Sequence, residues 1–203
     1  MIDLDFIEIG TSCYNTLIQQ CSDKTTGISI EPIKYYLDLL PNKKNVIKLN
    51  CAVSPTNKSS DAYIYHIKER VIIDKHLPLF LRGCNSLNSY HLQHKKLGVQ
   101  HLVSKQLVKQ LPIGTILSDY NVRKISLLKI DTEGCDCDIL FNLIVYLKDK
   151  SADYYPTVIL FESNEVANQD KVKKVIRLYK QLGYKMEYTG RDTKLVKIKE
   201  LIK

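Results

Sequence analysis

Acidic and small polar residues follow short apolar runs at several places along this chain. In chain order they are Glu8–Ser12, Glu31, Ser54, Asp131 and Glu162. In an open α/β sheet, ligands bind beyond the carboxyl ends of the strands, at the point where the strand order reverses. We therefore expect these residues to meet at one edge of a sheet and to form a binding site there.

The spacing of the first two groups points to a nucleoside. Gly10 would let the backbone pass close beneath a ligand, and Glu31 follows it by 21 residues. At this spacing an acidic residue meets the two hydroxyls of an adenosine ribose in nucleotide-binding folds. One glycine and one acid at such a distance also occur by chance, so the pair alone is a weak signal.

The turn after the first apolar run separates two kinds of cofactor. A dinucleotide needs a glycine-rich turn, because its pyrophosphate binds to backbone amides at a helix N-terminus. The turn from Glu8 to Tyr14 has a single glycine and carries a carboxylate, which would repel phosphate. A carboxylate suits the ammonium group of S-adenosylmethionine, which has an adenosine, a methionine tail and no phosphate. The turn therefore favours S-adenosylmethionine over a nicotinamide cofactor.

Alternating strand and helix patterns would position these residues. Apolar β-branched runs alternate with amphipathic stretches, which predicts an α/β fold with a largely parallel sheet. Strands are predicted at Phe6–Gly10, Gly27–Glu31, Val46–Val53, Ala62–Ile67, Ile125–Ile130 and Thr157–Phe161, with a closing hairpin of Lys185–Tyr188 and Lys194–Ile198. Helices are predicted at Tyr14–Gln20, Ile33–Leu40, Asp138–Lys148 and Gln169–Leu182.

One long stretch lacks either pattern. Residues 74–100 are polar, with Pro78 and Gly83 as breakers, and we expect a long loop with a function, because structureless stretches of this length are uncommon. No repeat or linker divides the chain, so we expect a single domain over residues 1–203.

One motif of the chain resembles a family signature. The K-I-D-x-E-G signature of FkbM-type S-adenosylmethionine-dependent methyltransferases is similar to L-L-K-I-D-T-E-G at Leu127–Gly134. The family's other motifs are matched in order, over about residues 6–190, by Phe6–Leu17, Ile30–Pro32, Asn50–Ser54 and Ile159–Glu162. The first motif departs from the family's pattern, because Glu8 replaces the usual aspartate and a second glycine near Tyr14 is missing.

The resemblance implies a fold and a set of cofactor-binding residues. The fold would be a Rossmann-like class I methyltransferase fold, a mostly parallel seven-stranded sheet with helices on both faces and a C-terminal antiparallel hairpin. The implied cofactor-binding residues are Glu8, Gly10, Thr11, Ser12, Glu31, Pro32, Ala52, Val53, Asn85, Ser86 and Asp131. The turn at Glu8 would hold the methionine end, Glu31 the ribose, and Ala52 with Val53 the adenine.

The resemblance also implies how the reaction would proceed. The segment from Arg82 to His91 is similar to the family's segment that closes over the cofactor. Asp131 would lie beside the sulfonium and the methyl acceptor. A hydroxyl acceptor benefits from a general base, for which Asp131 is the first choice and His91 the second. Glu133 would either serve this site or only stabilise the N-terminus of the following helix.

Three functions stay open. The favoured one is O-methylation of a sugar, a glycan or another small-molecule hydroxyl. A methyltransferase acting on RNA or another nucleic acid is less favoured, because Phe161–Asn164 stands where amino-directed enzymes carry an N/D-P-P-F/Y motif. A non-catalytic partner domain is the third possibility, because the first motif is degenerate.

The net charge of +8 and the pI near 9.1 suggest a polyanionic partner, but the charge is local. Residues 171–203 hold the whole excess, and residues 1–170 are neutral. Within that basic segment, Gln169–Leu182 places Val172, Val175, Ile176, Tyr179 and Leu182 on one face. Its lysines are therefore expected to form the solvated face rather than a nucleic-acid surface.

Compartment and metal content are inferred from what the residues lack. The first residues resemble no signal peptide and no apolar run is long enough to span a bilayer, so we expect a cytoplasmic protein away from membranes. The six cysteines have no C-x-x-C spacing, and reduced thiols are expected rather than a zinc site. Asp131 and Glu162 could share a divalent cation, but two carboxylates are a thin basis, so no metal is expected.

Overall fold

Ten strands are found in the part of the chain that the computed structural model describes, residues 1–189 and 191–198. They are β1 (Ile2–Ile9), β2 (Gly27–Ile30), β3 (Val46–Leu49), β4 (Ala52–Val53), β5 (Ser60–His66), β6 (Ser104–Leu111), β7 (Val122–Ile130), β8 (Val158–Glu162), β9 (Tyr184–Thr189) and β10 (Asp192–Lys197). Of the predicted domain, Gly190 and residues 199–203 lie outside the described residues.

Helices connect most of these strands. They are α1 (Leu17–Gln20), α2 (Lys34–Leu39), α3 (Glu69–Asp74), α4 (Leu92–Lys96), α5 (Ile113–Asp119), α6 (Asp136–Leu147) and α7 (Gln169–Gln181). Short 3-10 turns are formed by Leu79–Arg82, Gln100–Leu102 and Ala152–Tyr154. No helix in the described ranges is long and apolar enough to cross a membrane.

The main sheet has seven strands in the order β3-β2-β1-β7-β8-β10-β9. The first five of these run parallel, and β10 pairs antiparallel with both β8 and β9. This confirms the predicted α/β fold with a mostly parallel sheet and a C-terminal hairpin, an arrangement consistent with a Rossmann-like methyltransferase. The placement of helices on both faces stays a prediction.

Four neighbouring parallel strands end in register. Ile9 of β1 is paired with Ile30 of β2 and with Ile130 of β7, and Ile130 is paired with Phe161 of β8. The next residue of each strand therefore emerges at the same edge of the sheet; these are Gly10, Glu31, Asp131 and Glu162. The strand order reverses between β1 and β7, which is where ligands bind in such sheets.

The predicted third strand, Val46–Val53, is wrong in its length. Its first half is β3, at the edge of the main sheet, and its second half is β4 in a separate sheet of order β4-β6-β5. The break comes at Asn50, whose side-chain amide donates to the carbonyls of Glu31 and Pro32 at 2.9 and 3.0 Å. The stretch predicted as one strand thus contains a turn that a side-chain amide stabilises.

The region between β4 and β7 is more ordered than its sequence indicates. The strand predicted at Ala62–Ile67 is confirmed as β5, whereas β6 and α5 were not predicted. The expected loop at 74–100 contains a 3-10 turn and α4. Apolar side chains of this loop and of the residues just before it form a small core of their own, made of Ile67, Ile72, Leu81, Cys84 and Val99.

The basic helix α7 packs as predicted. Val172, Val175 and Tyr179 are buried, and Ile176 and Leu182 pack against the same main core. The lysines at 173, 174 and 180 are exposed. The part of the positive charge that α7 carries therefore lies mainly on its solvated face, as expected.

The close approach of the Gly10 backbone to the end of β7 can be tested by substitution. Its φ is +79°, and a Cβ added there would lie 1.8 Å from the carbonyl oxygen of Asp131. Gly98 also has a positive φ, of +66°, but has open space around it. We expect Gly98→Ala to cost about 1 kcal/mol from backbone strain and Gly10→Ala at least twice that, because a steric clash is added. Urea unfolding of both variants measures the difference, and equal losses would contradict the close approach.

Candidate active site

A cavity lies at the carboxyl edge of the main sheet, where β1, β2 and β7 end. Of the residues predicted from the sequence, it is lined by Gly10, Thr11, Ser12, Glu31, Pro32, Ala52, Val53, Asn85 and Asp131. Glu8, Ser86 and His91 do not line it. The structure thus brings most of the predicted site residues together around one space.

Glu31 is held at the cavity edge by backbone amides. One carboxylate oxygen accepts from the Ser12 amide at 2.7 Å and the other from the Ile33 amide at 2.9 Å. Burial nevertheless raises the pKa of Glu31 to about 7, because the amides offset only part of the lost hydration. Each carboxylate oxygen can accept two hydrogen bonds, so Glu31 keeps acceptor capacity toward the cavity.

Ser12 links Glu31 to the segment that covers the cavity. Its φ is +49°, a left-handed conformation that is uncommon for residues other than glycine. Its hydroxyl donates to the carbonyl of Arg82 at 3.0 Å, while Gly83 and Asn85 line the cavity directly. The segment 82–91 therefore does contact the turn after β1, as the closing role predicted for it requires.

Glu8 is withdrawn from the cavity into an ion pair. It is fully buried, and its carboxylate accepts from Lys129 Nζ and from the Leu17 amide, each at 2.8 Å. Burial raises the pKa of Glu8, against the lowering effect of Lys129. The predicted contact of Glu8 with the methionine end stays untested, but in this geometry both carboxylate oxygens are already bonded.

Three acidic side chains converge beside the cavity. Asp131, Glu133 and Glu162 each place a carboxylate oxygen within 4.8 Å of the others. Asp131 keeps solvent contact through the cavity, yet desolvation by the surrounding protein, followed by the charge of Glu133, raises its pKa to about 7. Burial, followed by the charges of Glu133 and Asp131, raises the pKa of Glu162 to about 9. A negative charge on a neighbouring carboxylate therefore makes Asp131 and Glu162 harder to ionise.

Glu133 is positioned by His91 and Ser86, and it is not part of the following helix. Its φ is +53°, and α6 begins three residues later, at Asp136. Its carboxylate lies 2.8 Å from His91 Nε2, and its carbonyl accepts from the Ser86 hydroxyl at 2.8 Å. The proposed function of Glu133 as a helix N-terminal charge is wrong, because Asp136 and Asp138 occupy that first turn.

The hydrogen bonds of His91 define its proton position. Its Nδ1 accepts from the Gln93 amide at 3.2 Å, at the start of α4. Since Nδ1 accepts a hydrogen bond, the proton of the neutral ring is on Nε2, which donates to Glu133. This geometry favours a positioning role for His91 over the role of a base, which stays an untested prediction.

The six cysteines are free. Burial raises the pKa of Cys51, Cys84 and Cys137 to about 12 and that of Cys135 to about 11. Thiols with such values are poor nucleophiles and metal ligands at neutral pH.

Residues 7–186 match the family model described as Methyltransferase FkbM domain, which covers most of the chain. The chain belongs to the FkbM methyltransferase family. The resemblance seen in the sequence is thereby confirmed. Searches of curated proteins and of solved structures give no match.

Several residues that line the cavity of this FkbM methyltransferase were not among the predicted cofactor-binding residues, although Glu133 had been an open alternative. The cavity is also lined by Tyr14, Ile64, Leu87, Lys129, Thr132 and Glu133. Lys129 carried the one usable signal, because a lysine inside an apolar strand needs an acidic partner or an open space. Ile64 and Leu87 come from regions whose strand pairing could not be predicted.

The raised pKa of Glu31 predicts a pH-dependent stability. Between the ordinary value of 4.5 and about 7, the folded protein holds a proton that the unfolded chain has released. Stability contributed by Glu31 should therefore fall as pH rises through this window, by about 3 kcal/mol at most. In urea unfolding, the wild-type protein should lose stability relative to Glu31→Gln between about pH 5 and pH 8. A difference that does not change with pH would contradict the assignment.

The Lys129–Glu8 ion pair predicts that replacing Lys129 strongly destabilises the folded protein. Lys129→Met would leave the Glu8 carboxylate buried without its cation, which typically costs about 3–5 kcal/mol. Lys124→Met, an exposed position on the same strand, should change the free energy of unfolding by less than about 0.5 kcal/mol. Adding Glu8→Gln to Lys129→Met should recover part of the loss. Equal stability of the two methionine variants would overturn this account.

Proposed function

We propose that this FkbM methyltransferase uses S-adenosylmethionine to methylate a hydroxyl group of a sugar, a glycan or another small molecule. The observation that carries the proposal is the buried Glu31 carboxylate at the end of β2, beside a cavity at the point where the strand order reverses. An acid in this position suits the two hydroxyls of an adenosine ribose.

The residues around the cavity fit the parts of this cofactor. Ala52, Val53 and Ile64 provide apolar surface suited to an adenine ring. Asp131 and Glu133 provide negative charge suited to the ammonium and sulfonium groups. Lys129 is the one cationic side chain among the lining residues, and it is already paired with Glu8. This charge pattern supports S-adenosylmethionine rather than a cofactor with phosphates.

The chain's own contribution to the reaction is mainly positioning. S-adenosylmethionine, when bound, supplies a methyl group on a sulfonium, which an acceptor oxygen can attack in line. Glu31 and the turn after β1 would hold the cofactor, and the segment 82–91 would exclude water from it. The Asp131 carboxylate would take the proton that the acceptor hydroxyl releases, and its pKa of about 7 suits a base that works at neutral pH.

A non-catalytic partner domain is the second candidate, and one observation favours it. The acid of the first motif, Glu8, is bonded to Lys129 and the Leu17 amide and is absent from the cavity lining. A domain without cofactor binding would have no need of that acid. A nucleic-acid methyltransferase has less support, because the edge of the sheet that holds the cavity is acidic.

Isothermal titration calorimetry with S-adenosylhomocysteine separates the first two candidates. We expect one ligand per chain, and about tenfold or greater weakening in Glu31→Gln, because a hydrogen bond to a charged acceptor is lost. Asp38→Asn is the control, since Asp38 is an exposed acid on α2. The absence of binding in the wild-type protein would favour the partner domain, and equal affinities of wild type and Glu31→Gln would contradict the ribose assignment.

A further inference from the structure

The carboxylates of Asp131, Glu133 and Glu162 lie close together without a lysine or arginine paired to them in the described part of the chain. An oxygen of each lies within 4.8 Å of the other two. Among the described residues, no lysine or arginine forms an ion pair with any of the three, and His91 is paired with Glu133 alone. Three negative charges at this spacing repel one another unless protons or a cation compensate them.

Glu162 adds a second and independent observation. The residue is only 9% exposed, and its Oε1 accepts from the Asn164 side-chain amide at 2.6 Å. Its Oε2 is buried and makes no hydrogen bond to any described residue. Buried carboxylate oxygens nearly always have a partner, so this one calls for a ligand.

We propose that Asp131, Glu133 and Glu162 bind a hard divalent cation of the Mg²⁺ or Mn²⁺ type. An all-oxygen ligand set selects cations of this class over zinc or copper. Two oxygens bound to one Mg²⁺ lie about 3 Å apart when adjacent and about 4.2 Å apart when opposite. The three carboxylate oxygens lie within 4.8 Å of one another, so small side-chain movements would bring them to these distances. The cation would give Glu162 Oε2 its missing partner.

No metal was expected from the sequence, because it indicated only two candidate ligands, Asp131 and Glu162. The third ligand, Glu133, is supplied by the left-handed turn after β7, which brings its side chain back beside Asp131 and Glu162. The hydrogen bond from His91 orients this carboxylate, as outer-shell partners commonly orient metal ligands.

A neighbouring group of possible ligands is explained without a metal. Cys84, His91 and Glu133 also lie within 4.8 Å of one another. Both ring nitrogens of His91 are already hydrogen bonded, and burial keeps Cys84 as a thiol. The proposed cation site is therefore the one formed by the carboxylates of Asp131, Glu133 and Glu162.

The cation would also have a task in the reaction, an extension that rests on the proposed function. A divalent cation beside the methyl acceptor would bind its hydroxyl and make the proton easier to release. Acceptors with two neighbouring hydroxyl groups, as in sugars, could chelate such an ion. Asp131 would then bind the cation through one carboxylate oxygen, and its other oxygen would take the proton that the bound hydroxyl releases.

The test is a titration of the full chain with Mn²⁺, in which electron paramagnetic resonance counts the free ion and no cofactor is present. The wild-type protein should bind one Mn²⁺ per chain. Glu162→Gln should weaken binding by about tenfold or more, because one ligand is lost. Glu165→Gln, which removes the same charge from an exposed position three residues further on, should leave the affinity unchanged.

Two results would overturn the proposal. One is no saturable binding by the wild-type protein at millimolar Mn²⁺, and the other is the same affinity change, or none, in both glutamine variants. Asp131→Asn gives a second ligand variant if Glu162→Gln does not fold, and it should also weaken binding. Because the titration contains no S-adenosylmethionine, its outcome is independent of the calorimetry that tests the proposed function.

Discussion

The parallel pairing of β1 with β7 places Glu8 opposite Lys129 and brings the Gly10 backbone against the Asp131 carbonyl. The Asp131 amide donates to the Ile9 carbonyl at 2.9 Å, which aligns the two strand ends. Since β2 and β8 are in register with the same pair, every acidic strand end reaches one edge of the sheet. The register of this one strand pair therefore determines where the cavity forms and which side chains surround it.

Acidic side chains that meet at one edge of the sheet repel one another, and different groups compensate their charges. Glu8 is compensated by Lys129, Glu31 by two backbone amides, and Asp136 by Thr132 and the Glu162 amide. Each oxygen of these three carboxylates accepts at least one hydrogen bond, although burial still raises their pKa values. Glu133 is bonded to His91 and Glu162 to Asn164, but no lysine or arginine of the described residues forms an ion pair with either of them or with Asp131. These three lie beside the cavity, where a cofactor, a substrate or a cation could compensate their charge.

Much of this arrangement could be predicted from the sequence, because buried parallel strands and the residues that end them are both visible in it. The polar residues after four apolar runs, and the K-I-D-T-E-G motif, correctly located the edge of the sheet. The pairing of Glu8 with Lys129 could not be predicted, since it depends on a register between strands 121 residues apart. The link between His91 and Glu133 joins two loops, and β4 is too short to give a periodic signal.

The central claim is that the cavity between the ends of β1, β2 and β7 holds S-adenosylmethionine. A crystal structure of the protein with S-adenosylhomocysteine tests this claim most directly. The account predicts that the ribose hydroxyls contact the Glu31 carboxylate, that the adenine lies against Ala52 and Val53, and that the sulfur faces Asp131. Density for the ligand at another surface, or a ribose that does not contact Glu31, would contradict it.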